Sequence, residues 1–138
     1  MAAVTGGLQL TRTLRAKVPS TAITTDVELA IGRNELSGVG TVTAVRYITD
    51  ATLTGANTNT RSVTVNRRTA GGAATVLATL QFNLGTNATA YSSTTIPLSG
   101  TPANLDVPAG DILTFQSTHI GTGIVDPGGT IEVDLLRA

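Results

Sequence analysis

The sequence predicts an all-β domain: an antiparallel β-sandwich or jelly-roll-like fold of about seven or eight short strands, with an extended N-terminal arm. Three observations lead there. Val27, Leu29 and Ile31 alternate with Glu28 and Ala30, and the same two-residue period returns at Val63 and Val65 and through Ile131, Val133 and Leu135. Such alternation turns one side chain in two toward a core. Turns rich in Gly, Asn and Pro separate these runs, and no segment carries a sustained i, i+3, i+4 apolar stripe with caps, so any helix is expected to be short.

Residues 1–20 read as an arm, because Gly6 and Gly7 loosen the backbone, Pro19 interrupts regular pairing, and Arg12, Arg15 and Lys17 have no acid beside them. Leu8, Leu10, Leu14 and Val18 are equally compatible with a first strand of the domain's own sheet. The domain proper is expected over residues 21–138. A strand at 27–31 ends at Gly32-Arg33-Asn34-Glu35. Residues 41–53 are rich in Val, Ile, Tyr and Thr, whose stiff χ1 suits a pleated surface, and predict a long strand with a bend. After a polar loop at 54–59, residues 61–68 alternate again. The segment 69–73 contains Gly71-Gly72 and joins this strand to 75–82 in the clearest hairpin of the chain, since glycine supplies the positive φ such turns require. Residues 83–93 are polar. Residues 95–98 include Pro97, which cannot donate to a ladder, so they predict an edge or irregular strand. Asp106-Val107-Pro108-Ala109-Gly110-Asp111 is a turn into the strand 112–118. A loop with Gly121, Gly123, Pro127, Gly128 and Gly129 then leads to a last strand at 130–135.

With 138 residues a single domain is expected. The 41% apolar content is ordinary, but aromatics make up only 3%, so small aliphatic side chains must fill the interior. So few large anchors point toward stabilisation by association. Basic and acidic side chains number nine each, which gives no global field to attract nucleic acid or an anionic membrane. Their distribution is uneven: residues 1–68 hold eight basic and four acidic groups, and residues 69–138 hold one and five. The chain either carries a charge dipole or interleaves its halves on folding. Cysteine is absent, which excludes disulfides and thiolate metal sites. No leader-like segment and no membrane span is evident at the start or later, so the chain is expected to be soluble.

Catalytic signals are sparse. His119 is the only histidine. A Ser-His-Asp set from Ser117, His119 and Asp126 has no nucleophile-elbow motif to support it. Asp106, Asp111, Asp126, Glu132 and Asp134 offer carboxylate pairs, but Glu132 and Asp134 fit the outward face of a strand and the others fit turns. Glycine pairs occur without the lysine and helix of a phosphate loop, and Arg67-Arg68 lacks the stacking rings of a single-strand nucleic-acid groove. No enzyme activity and no cofactor is expected.

The run 48–61 (ITDATLTGANTNTR), the Gly71-Gly72 hairpin with Ala78-Thr79-Leu80-Gln81-Phe82, and Ala109-Gly110-Asp111-Ile112-Leu113 resemble small virion proteins of tailed bacteriophages. The similarity continues through 117–123 (STHIGTG) and 126–129 (DPGG), covers about residues 45–135, and is to capsid decoration (cement) proteins and related head-fibre domains. This resemblance implies a structural protein made in the host cytoplasm and added to the outer surface of an assembled capsid. It further implies binding to the major capsid protein, commonly as a trimer, with no nucleic-acid or membrane partner. On this expectation Leu8, Leu10, Arg12, Leu14, Arg15 and Lys17 dock on the capsid protein while the β domain contacts other copies. The alternative is a receptor- or carbohydrate-binding module of a head or tail fibre, using loops 54–60 and 83–93, with Tyr47, Tyr91, Phe82 and Phe115 as the available rings.

Overall fold

The computed structural model describes residues 10–137, which form two antiparallel sheets packed face to face. The first sheet contains β1 (Thr11–Val18), β9 (Gly129–Arg137), β3 (Gly40–Thr49) and β6 (Ser93–Thr95) in that order, and β7 (Asp106–Val107) also pairs β3. The second runs β2 (Val27–Arg33), β8 (Ile112–Ile120), β4 (Thr60–Arg68), β5 (Ala74–Gln81). Thus β1 pairs β9, β2 pairs β8, β3 pairs β6 and β4 pairs β5. The first half of the chain meets the second half in reverse order, as one long antiparallel ribbon wound over itself, which is the jelly-roll arrangement. The one helical element among the described residues is a 3-10 turn at Pro102–Leu105.

Alternation builds the core. In β9 Ile131, Val133 and Leu135 are buried while Thr130, Glu132 and Asp134 face outward. Val18, Val45, Val63, Leu113 and Phe115 complete the interior from both sheets, and the Tyr47 and Phe115 rings meet at 5.2 Å with planes tilted by 49°. Each such aliphatic side chain contributes roughly 1.5–3 kcal/mol by leaving water.

Several expectations change in detail. Of the two readings open for residues 1–20, Thr11–Val18 takes the strand: it belongs to the first sheet, in register with Leu136 through Gly129. Leu14 packs against Gly32 and Val18 is fully buried, which explains the apolar alternation there. The long central strand stops at Thr49 and carries its irregularity between Val42 and Ala44. Leu53 lies beyond it, buried in a bridge to Ala88. The strand expected at 95–98 ends at Thr95, and Pro97 and Leu98 instead cover the outer edge of β5, where Thr79 donates to the Pro97 carbonyl and Ser99 to that of Leu77. Folding also interleaves the two halves' charges. Arg15 and Arg46 pair with Glu132 and Asp134, while Arg67 approaches Asp111, so the basic and acidic halves form no dipole.

Candidate interaction surface

The loops at residues 19–26, 50–59, 82–92 and 121–128 lie together at one end of the sandwich, because the strands they join all turn there. Backbone and side-chain bonds tie them into one unit. Thr21 and Asp126 exchange backbone hydrogen bonds, Asp50 N donates to the Gly128 carbonyl, and Leu53 and Ala88 exchange a pair. Gly55 N donates to Asn87 Oδ1 at 2.8 Å and Thr122 N to Asn59 Oδ1 at 2.9 Å.

Beneath them is a buried polar network. Arg61 follows the inward parity of Val63 and Val65, and its side chain is 0% exposed. All five of its N–H groups are used: Nε donates to the Ile124 carbonyl, Nη1 to the Thr25 carbonyl and Ser117 Oγ, and Nη2 to the carbonyls of Ala22 and Ile23. Ser117 Oγ accepts from Arg61 at 3.0 Å and donates to Asp126 Oδ2 at 2.7 Å. Asp126 Oδ1 accepts from Tyr47 Oη at 2.6 Å and from Gly128 N at 2.9 Å. Burial, then the adjacent Asp126 charge, pushes the Tyr47 phenol above its ordinary range. The arrangement braces two loops against both sheets, and leaving one of its buried groups unpaired is what would be costly.

On this base the loop end displays apolar side chains. Among the described residues, five of the eight exposed large hydrophobic side chains lie there: Ile23, Leu84, Tyr91 and Val125 in the loops and Ile120 at the end of β8. Of the four aromatic residues, Tyr47, Phe82 and Phe115 are 0% exposed and Tyr91 is 79% exposed. Tyr91 also holds φ at 56°, a left-handed conformation that costs a bulky residue roughly 1–2 kcal/mol. Its N–H bonded to the Thr49 carbonyl at 2.8 Å fixes it there.

The residues expected to dock on a partner lie along β1 and just before it, and Lys17 reaches the loop end at Asp50. Leu8 lies outside the described residues. Leu10 is 42% exposed, and Arg12 is exposed with no acidic partner among the described residues. Leu14 is turned into the core margin. Arg15 binds Glu132 at 2.5 Å and Lys17 binds Asp50. Arg46 lies between Glu132 at 3.1 Å and Asp134 at 2.9 Å, so the outer face of the first sheet is a ladder of internal ion pairs. These contacts hold both carboxyls below their ordinary range: Glu132 chiefly through the Arg15 hydrogen bond, Asp134 through that of Arg46. The outer face of the second sheet is largely uncharged, with Thr64 bonded to Thr79 and Asn66 to Gln116. Arg68 and Glu28 pair at its margin, and that hydrogen bond lowers the Glu28 carboxyl.

The candidate chemistry is dispersed. Ser117 is fully buried between Arg61 and Asp126, whereas His119 Nδ1 meets Asp26 Oδ1 at 2.6 Å, so Ser117, His119 and Asp126 do not line up as nucleophile, base and orienter. The His119 backbone N–H, then its ring, lowers the Asp26 carboxyl. Asp126 lies in a loop, as expected, and is 0% exposed. No cluster of three or more His, Cys, Asp or Glu occurs among the described residues. A shallow groove of about 320 Å³ lies elsewhere, between β5 and the covering segment, lined by Val76, Ala78, Pro97, Leu98, Ser99 and Asn104. Arg61's inward position was legible from strand parity, whereas nothing in the sequence marked Tyr91 as the exposed ring.

No protein-family model matches the sequence. No curated protein matches it either. Among solved structures, a chain from the structure of infectious bursal disease virus Gx strain aligns over 92% of this chain with 11% identity and a TM-score of 0.41. This chain spans about a third of that one, 32% of its length.

Proposed function

We propose that the protein is a structural component of a virus particle, which decorates the outside of a tailed-phage capsid by binding the major capsid protein, as a trimer. The observation that carries this reading is the braced loop end. A surface whose charges are largely paired internally concentrates its exposed apolar side chains in one rigid place, the pattern of a protein contact rather than of a concave ligand site. The jelly roll is used by capsid proteins and by lectins alike, so fold alone selects neither. The resemblance over residues 45–135 supports the virion assignment. Contact with the capsid falls to the exposed margin of β1, at Leu10 and Arg12, and repeated weak contacts across an oligomer give stable attachment.

The test is to mix the full chain with undecorated capsids and count bound copies per particle. Saturable, high-copy binding that the Leu10→Asp/Arg12→Glu double variant weakens is expected; absence of binding sinks the proposal. A glycan-binding fibre module is the second reading, and the exposed Tyr91 in the loop 82–92 favours it. Retention on immobilised glycans without capsid binding would select it.

A further inference from the structure

We propose that the loop end is the surface through which copies of this chain contact one another, with Tyr91 as its anchor. The inference rests on the structural reading above and names its self-contact. Charge decides the occupant. The four loops contain three acids, Asp26, Asp50 and Asp126, and no Lys or Arg. Asp26 is hydrogen-bonded to the His119 backbone and ring, Asp50 is paired with Lys17, and Asp126 is buried and bonded to Tyr47 and Ser117. The loop at 82–92 has no charged residue at all.

With few charges on it, and Asp50 paired to Lys17 and Asp126 buried, this surface meets little like-charge repulsion when apposed to its own copy and offers little that would steer a charged partner. The side chains that remain are Leu84 and Tyr91, 73% and 79% exposed, with Ile23, Ile120 and Val125 exposed at the same end of the sandwich. Tyrosine supplies large contact area with little rotamer entropy to lose, which suits the centre of an interface. The left-handed backbone at Tyr91 is unfavourable for the isolated chain and is tied down by the bond to Thr49, as expected of a residue kept for an external contact. Packing this end also buries the one aromatic ring that folding leaves outside.

The experiment is native mass spectrometry and sedimentation of the full chain, free of capsids, over a concentration series. Wild type is expected to self-associate. Tyr91→Gly keeps a residue that accepts the left-handed φ and removes only the ring, and Leu84→Lys places like charges against each other. Each is expected to weaken association by roughly tenfold or more with unchanged circular dichroism. Thr118→Lys, on the outer face of the second sheet, is expected to leave it intact. A wild-type monomer at all concentrations overturns the inference, as does association that neither variant alters. Variants that still self-associate but no longer occupy capsids overturn it too and assign the loop end to the capsid protein. Wild type that self-associates through this end yet never binds capsids upholds the inference and removes the decoration role, so the two readings fail separately.

Discussion

The Ser117 hydroxyl lies between the guanidinium of Arg61, 3.0 Å away, and the carboxylate of Asp126, 2.7 Å away, and so links a buried cation to a buried anion that share no direct ion pair. Through it the loops at 19–26 and 121–128 are tied to β4 and β8, and Tyr47 extends the link to β3. The rigidity of the loop end follows from this arrangement, and three of the predictions below probe it.

Arg61→Ala should cost about 3–5 kcal/mol, because it strands four carbonyls and leaves Asp126 as an uncompensated buried charge. Urea denaturation measures it. Arg61→Lys should recover only part of the loss, since an ammonium has three donors for the five bonds that Arg61 makes.

Tyr47→Phe should destabilise by about 1.5–3 kcal/mol near neutral pH, the range for a hydrogen bond to a charged group. In a double-mutant cycle with Ser117→Ala the two losses should not add, because both hydroxyls donate to Asp126. Strict additivity would show that they act independently.

Alkaline stability should depend on Tyr47. Its phenol is raised in the folded state by burial and by Asp126, so the unfolded chain ionises first. The contribution is complete below the ordinary value of 10.0 and is lost as pH rises beyond it. Stability of the wild type should therefore fall more steeply above about pH 10 than that of Tyr47→Phe, as chemical denaturation at stepped pH would reveal.

Acid stability should depend on Arg46. Glu132 and Asp134 are lowered below their ordinary values of 4.5 and 3.8, so the stability they contribute is present above those values and is lost as pH falls through the lower folded ones. Arg46→Met should flatten the part of the profile below about pH 3.8 that Asp134 sets, while Glu132, held chiefly by Arg15, keeps most of its share and the alkaline limb is unchanged. Because these groups are partly exposed, added salt should narrow the difference.

Gly55→Ala should destabilise by about 1–3 kcal/mol through overpacking. A Cβ at residue 55 would fall 1.8 Å from the Asn83 carbonyl oxygen and 2.3 Å from that of Thr86, where the loops 50–59 and 82–92 approach. Gly100→Ala, with nothing within 4 Å, is the control, and thermal melting of both distinguishes them.

The sequence by itself determined what local chemistry controls. Side-chain alternation at Val27, Leu29 and Ile31 and along 130–135 marked strands with one buried face, Gly71-Gly72 marked the β4–β5 hairpin, and Pro97 was held to an edge. These depend on two-residue periodicity and on the dihedral limits of single residues, which neighbours a few positions away express. Tertiary structure alone decided that β1 belongs to the first sheet, that Asp126 is buried beside Tyr47 and Ser117, and that Arg15 and Lys17 bind Glu132 and Asp50. It also left Tyr91 outside while the other three rings went in. The reason is distance along the chain: a jelly roll pairs its first strand with its last, so the partner that buries, charges or satisfies a residue lies far away in sequence, where no local pattern reports it.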